Sequence, residues 1–260
     1  MTERFDVRHI RNILPSGLLR KFIRPKHQWR RRGRAFSIFD TAAVAEKFIS
    51  INGEGEKSGE LAVFIRFCGC NLNCSYCDTA WANKKNLCTE TLSARNILSY
   101  VNKTGIKNVT LTGGEPLLQQ GIAEILNLLC YYSKRPLYIE IETNGSVDIS
   151  GFSHYPVHFT MDYKLPSSGM ELSMLTGNFM FLLPDDTVKF VIGTKNDMER
   201  ALEVIYEFSL LKSVNIHFSP VFGKIEISEI VEFMKEHKLN DVKLSLQLHK
   251  FIWDKDTRGV

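Results

Sequence analysis

Between residues 44 and 237 the chain alternates short β-rich runs with amphipathic stretches, and that alternation limits its fold more than any other feature. Residues 44–51 and 62–67 read as strands, and residues 91–101 as a helix, because Leu92, Ile97, Leu98 and Val101 recur at roughly helical spacing. A strand at 108–111, a helix at 121–132 and a strand at 137–141 follow. Strands at 157–161, 187–192 and 214–218 are interleaved with helices at 197–211 and 227–237. This order predicts right-handed βαβ units around a parallel sheet, an α/β fold. No internal repeat or low-complexity tract interrupts it, and the longest apolar runs are too short to cross a bilayer.

With 260 residues, 44% of them apolar, the chain can bury one sizeable core. Its net charge of +4 is unevenly spread: residues 1–35 hold 11 Lys/Arg against 2 Asp/Glu, which leaves the remainder acidic. Three readings compete for this Arg-rich leader: contact with nucleic acid or an anionic surface, an organellar transit segment, or an appended segment unrelated to the fold. The ordered pattern starts near Val44, so residues 1–42 are read as a basic, disordered or appended extension and residues 43–260 as the catalytic domain.

Three cysteines, Cys70, Cys74 and Cys77, fall within eight residues after the second predicted strand. Three thiolates at that spacing can hold three irons of a 4Fe-4S cluster and leave the fourth open to a substrate or cofactor. A structural zinc site normally needs a second ligand pair, which is absent, and a disulfide framework belongs to small secreted domains. Reduced thiols in a cytoplasm fit better. Cys68 stands just outside the motif and could be mistaken for a ligand, whereas Cys88 and Cys130 read as inert buried thiols.

Further polar constellations follow predicted strands. Thr112-Gly113-Gly114-Glu115-Pro116 leads from a strand into a helix, and its glycines let backbone approach a ligand closely. Glu140 and Glu142 share one strand face ahead of Asn144-Gly145, with Glu142 nearer the strand end, where α/β barrels carry their active sites. Asp162-Tyr163-Lys164 and Ser219-Pro220-Val221-Phe222 are candidate walls of a cofactor cleft.

Together the cysteine spacing and the Gly-Gly-Glu-Pro run resemble the radical S-adenosylmethionine (SAM) superfamily, which implies a compact partial TIM-type barrel. Residues Ile51-Asn52-Gly53-Glu54-Gly55, Arg66, Cys77-Asp78-Thr79, Gln247-Leu248-His249-Lys250 and Arg258-Gly259-Val260 are similar to the 7-carboxy-7-deazaguanine synthase family over residues 44–260. One departure stands out: Asn52 replaces the family's usual glutamine, and the shorter amide is expected to alter a substrate contact.

The resemblance implies a lyase that contracts the ring of 6-carboxy-5,6,7,8-tetrahydropterin to 7-carboxy-7-deazaguanine with loss of ammonia, on the route to queuosine. It implies that Cys70, Cys74 and Cys77 ligate the 4Fe-4S cluster and Thr79 binds Mg²⁺. It assigns Tyr76, Cys77, Asp78, Gly114, Asp162, Tyr163, Lys164, Ser219, Pro220, Val221 and Phe222 to SAM. To the substrate it assigns Ile51, Asn52, Gly53, Arg66 and Thr112, with His249 and the Val260 carboxylate as further candidates. Arg66 also makes independent sense, since a guanidinium pairs with a carboxylate by two hydrogen bonds. Catalysis is then supplied by the cofactor, with no separate catalytic side chain. A homodimer, a flavodoxin-type electron donor and a cytoplasmic location complete the expectation, without membrane attachment or nucleic-acid binding by the catalytic domain. The alternatives are a radical SAM activase that places a glycyl radical on a partner protein, and a zinc-binding nucleic-acid module using the basic leader.

Overall fold

A computed structural model of the chain describes residues 41–83, 88, 90–254 and 257–260, so the readings of the leader concern residues outside the described ones. The elements run β1 (Thr41–Ile51), β2 (Leu61–Phe67), β3 (Glu90–Ser93), α1 (Ala94–Thr104), β4 (Asn108–Gly113), α2 (Ile122–Tyr132), β5 (Tyr138–Thr143) and β6 (His158–Tyr163). They continue with β7 (Thr187–Ile192), α3 (Lys195–Glu207), β8 (Asn215–Pro220), α4 (Ile227–Glu236), β9 (Val242–Leu244) and α5 (His249–Ile252). The nine strands form one sheet in the order β3-β1-β2-β4-β5-β6-β7-β8-β9. From β2 to β9 every neighbouring pair is parallel, while β1 pairs antiparallel with both β2 and β3. β3 and β9 are the two edges, so the sheet does not close on itself, as expected for a partial barrel.

The two faces of this sheet differ sharply, because side chains alternate along a strand. Val63, Ile65, Val109, Leu111, Ile139, Ile141, Phe159, Val188, Phe190, Ile216 and Phe218 lie on the apolar face and join Ile97, Leu126, Val204 and Ile230 of the helices in one core. The intervening residues are mostly polar, with Ala62, Phe64 and Val191 among the exceptions. Arg66 pairs with Thr112 across β2 and β4, Asp162 with Lys189 across β6 and β7, and Lys189 with His217 across β7 and β8.

Most elements lie within a few residues of the sequence expectation, and the departures have local causes. Residues 91–93 continue as strand, since Thr91 pairs with Ala43 of β1, and α1 starts only after Ser93, whose Oγ accepts from the Asn96 amide at 3.2 Å. This serine cap supplies one of the acceptors that a helix start lacks. α3 ends at Glu207 rather than residue 211, because Ser209 takes a left-handed conformation with φ 52°. β9 and α5, three and four residues long, are too short to show a period.

Not all of the cysteines behave as expected. Cys68 and Cys88 form a disulfide, with Cα atoms 5.9 Å apart, instead of remaining reduced thiols. Sequence spacing could not reveal it, because the fold brings together residues 20 apart. Cys68 packs with Ala45 and Ala82, behind the cysteine loop. Cys130 on α2 is half-buried. Among the described residues no helix is long and apolar enough to cross a membrane.

Leu111 sits in β4, between β2 and β5, with none of its surface exposed. Leu111→Ala is predicted to lower the unfolding free energy by about 2–5 kcal/mol, because neighbouring strands cannot collapse into the space. Urea titration of the two proteins measures this.

Candidate active site

The polar face of the sheet opens, at the C-terminal ends of its parallel strands, into a cavity of about 840 Å³. Its cysteine-bearing wall starts where β2 ends. Cys70, Cys74 and Cys77 all line the cavity and take part in no disulfide. The loop is fastened at its root by the turn after β4: Gly114 donates to Phe67 O at 3.1 Å and Glu115 to Gly69 O at 2.8 Å. A Cβ on Gly114 would stand 1.9 Å from Gly69 O, so this glycine is required by the approach of two backbones as well as by any ligand.

Glu115 is fully buried, and burial raises its pKa although three donors oppose the effect. Its carboxylate accepts from Leu117 N at 3.1 Å, Thr143 Oγ1 at 2.9 Å and Asn144 N at 2.7 Å. Asn144 in turn donates to Cys70 Sγ at 3.4 Å and Asn71 Oδ1 at 3.0 Å. The Gly-Gly-Glu-Pro turn therefore fixes the end of β5, which orients the first cysteine. Beyond it, Ser75 is held by main-chain oxygens of Ser168 and Ser167 at 3.1 and 2.6 Å. Burial pushes the Cys74 thiol pKa up, with Lys164 opposing.

Opposite the thiols lies a charged group. Asp162 bonds Lys164 at 2.8 Å and Lys189 at 2.8 Å, and Lys189 reaches both oxygens of Glu54 at 2.6 Å. Burial opposes the Asp162 charge, but the two ammonium groups outweigh it and lower its pKa. Burial likewise disfavours the Lys189 charge, yet Asp162, Glu54 and Glu142 hold its pKa well above the usual lysine range. At Glu54 burial prevails over Lys189 and the pKa rises. Glu142, which accepts from Thr112 Oγ1 at 2.5 Å, is pushed up to about 8 by burial and by the Glu54 and Glu140 carboxylates. Two lysines thus face three carboxylates in this group, and the surroundings of Glu142 favour its protonated form.

The remaining wall comes from far along the chain. Gln247 donates to Asp78 Oδ2 at 3.0 Å, Lys250 Nζ stands 3.7 Å from the same oxygen, and the Arg258 guanidinium lies 4.2 Å from the Trp81 ring centre. His249 faces the cavity, and burial lowers its pKa. Val260 also borders the cavity.

Of the substrate candidates, Ile51, Gly53, Arg66, Thr112, His249 and Val260 line this one space. So do the cofactor candidates Tyr76, Cys77, Asp78, Gly114, Asp162, Lys164, Ser219, Pro220, Val221 and Phe222, and the metal candidates Cys70, Cys74, Cys77 and Thr79. The side chains of two candidates lie elsewhere. Asn52 is fully buried and bonded to Glu140, so its amide does not reach the cavity as expected. Tyr163 is 4% exposed and lies on the apolar face against Phe179 and Phe190, because strand alternation turns it away from Asp162 and Lys164. Arg66 is paired with Glu46 at 2.7 Å. Sequence reading assigned no role to Glu46, Lys189, Asn144 or Trp81. The signal for Lys189 was a lone lysine in the otherwise apolar run of β7.

The family model of the Radical SAM superfamily matches residues 64–237. A 7-carboxy-7-deazaguanine synthase from Clostridium acetobutylicum is 57% identical over 219 residues, covering 84% of this chain and 98% of that protein. One from Leptospira interrogans is 36% identical over 241 residues, again with 84% and 98% covered. In fold, the chain is similar to the crystal structure of QueE from Escherichia coli, with a TM-score of 0.61, 22% identity and coverage of 80% of this chain and 94% of that one.

Below the cavity floor, burial raises the Glu140 pKa from 4.5 to about 7; hydrogen bonds from Thr160 and Asn52 oppose this, the Glu54 charge adds to it and Lys189 counters it. Because the folded chain holds this proton more tightly than the unfolded one, the group's contribution to stability is full below pH 4.5 and is lost as pH rises through about 7. Glu140→Gln removes that dependence. Denaturation midpoints at pH 5 and pH 8 are predicted to show the variant gaining on the parent protein at the higher pH.

Proposed function

The chain belongs to the radical SAM superfamily and, within it, to the 7-carboxy-7-deazaguanine synthase family, and from this premise we propose that it converts 6-carboxy-5,6,7,8-tetrahydropterin to 7-carboxy-7-deazaguanine with release of ammonia. The observation that carries the reading is the meeting of three unbridged thiols, a charged lysine–carboxylate group and the 51–54 segment around one cavity. The curated relatives are synthases, which leaves the glycyl-radical activase and the zinc module without support.

The donor set fits the group that the superfamily implies. A 4Fe-4S cluster takes thiolates, and Cys70, Cys74 and Cys77 supply three, while Cys68 is tied to Cys88 outside the cavity lining. When bound, the cluster and SAM supply a carbon radical that removes a hydrogen atom from the substrate. The protein's part is to bind, orient and exclude water. Asn144 orients the Cys70 sulfur through its N–H. Gly114, Tyr76, Asp78, the pair Asp162 and Lys164, and residues 219–222 would line the SAM site.

Arg66 would meet the pterin carboxylate, with Glu46 setting the guanidinium plane. Thr112 and Glu142 would offer hydrogen bonds to the ring edge, and His249 and Val260 border the same region. Thr79 offers a hydroxyl oxygen, a donor suited to Mg²⁺, beside Cys77 at 3.7 Å. A homodimer, a flavodoxin-type electron donor and a cytoplasmic location complete the proposal.

Anaerobic reconstitution followed by incubation with SAM, Mg²⁺, reductant and the tetrahydropterin is expected to yield the deazaguanine acid and ammonia. Cys74→Ala should abolish both the iron–sulfur absorbance and 5′-deoxyadenosine formation; an unaltered spectrum would remove the assigned ligand. Thr79→Ala should raise the Mg²⁺ concentration needed for half-maximal turnover and leave the spectrum unchanged.

A further inference from the structure

One buried acid has no part in the roles above. Glu140 is 1% exposed and lies on β5 beneath the cavity, two residues before Glu142. Its Oε2 accepts from Asn52 Nδ2 at 2.7 Å and its Oε1 from Thr160 Oγ1 at 2.5 Å. Asn52 is completely buried; its backbone amide donates to Glu60 O at 2.7 Å, its backbone oxygen accepts from Gly59 N at 2.7 Å, and its Oδ1 accepts from Glu54 N at 3.4 Å. Three residues further on, Gly55 has φ +65°, and a Cβ there would fall 1.8 Å from Glu140 Oε1. Both ends of the 52–55 turn therefore rest on one carboxyl group. Between them, Gly53 and Glu54 face the cavity, and Ile51 faces it on the other side of Asn52.

We infer that Glu140 is a positioning residue for the substrate: through Asn52 and the close approach of Gly55 it sets where the Gly53 backbone and the Glu54 carboxylate stand in the cavity. The side chain at position 52, where the family carries glutamine, acts downward on this anchor rather than outward on the ligand. The geometry also accounts for the glycine at 55, since any side chain there would lift the turn off its support. Hydrogen bonds weaken steeply with distance and angle, so an anchor outside the cavity that sets where a binding group stands has leverage on binding. The inference rests on the substrate-binding reading of residues 51–54.

Two measurements test it separately. In the protein without substrate, hydrogen exchange at the bonded amides of this turn, those of Asn52 and Glu54, is expected to be slow in the parent chain and at least about tenfold faster in Glu140→Ala. In steady state, Glu140→Ala is expected to raise KM for the tetrahydropterin about tenfold or more, with kcat and substrate-free SAM cleavage changed by less than about twofold. Asn52→Asp, assayed at pH 8 above the Glu140 pKa of about 7, sets two carboxylates against each other and should show the same rise in KM. The double variant Asn52→Asp/Glu140→Gln restores one donor and one acceptor with their roles exchanged, and should recover it. That recovery separates positioning from a general loss of stability, and it decides the matter if Glu140→Ala does not fold. Unchanged exchange at these two amides, an unchanged KM in Asn52→Asp, or a double variant no better than the single one would overturn the inference. If the parent protein does not turn over the tetrahydropterin, the functional reading fails by itself, and the exchange experiment alone decides whether Glu140 anchors the turn.

Discussion

Lys189 is a buried ammonium on the cavity floor, and the arrangement around it depends on keeping it paired. It bonds Asp162 of β6 and Glu54 of the turn after β1, joining two strands and a loop that are distant in the chain. Removing one partner of such a group leaves an uncompensated charge in a poorly solvated place, which is far costlier than never having buried it. The position of Glu54 and the lowered pKa of Asp162 follow from this pairing of charges, and the raised pKa of Glu142 follows from burial together with the neighbouring carboxylates. At Glu142 burial and the neighbouring Glu54 and Glu140 carboxylates outweigh the pull of Lys189.

The same group is possible only because the sheet is two-faced. Four helices cover one side with an apolar core, and the opposite side carries arginine, threonine, glutamate, aspartate and lysine in adjacent rows. A strand buried on both faces would read as a continuous apolar run, whereas β4 and β5 interrupt theirs with polar residues at every second place and β7 does so at Thr187 and Lys189. Those interruptions mark the cavity.

That pattern explains what was legible in the sequence. Strands and helices with a clear period were placed within a few residues, and residues following strand ends gathered as expected around one space. What escaped depended on contacts across the fold. Residues 91–93 have helical spacing but are drawn into the sheet by β1, and Cys88 meets Cys68 only after the chain has turned back. Tyr163 was grouped with its neighbours Asp162 and Lys164, although alternation alone puts it on the other face. Asn52 stands where the resemblance expects a glutamine that contacts the ligand; its direction is set by a glutamate 88 positions away.

The thiols and the groups facing them have very different reach along the chain. Cys70, Cys74 and Cys77 are neighbours within one short loop, but Glu54 and Lys189 are 135 residues apart, and Gln247 meets Asp78 across 169. Closing loops of that size carries an entropic cost that must be met before the contacts at their ends give any return, so such pairings belong to the late, slow stage of folding. The thiols are local in sequence, but the groups that hold their loop, Glu115, Asn144, Ser167 and Ser168, are themselves distant in the chain, so the place that would hold iron and the chamber that selects what reacts there are completed by the same long-range closure.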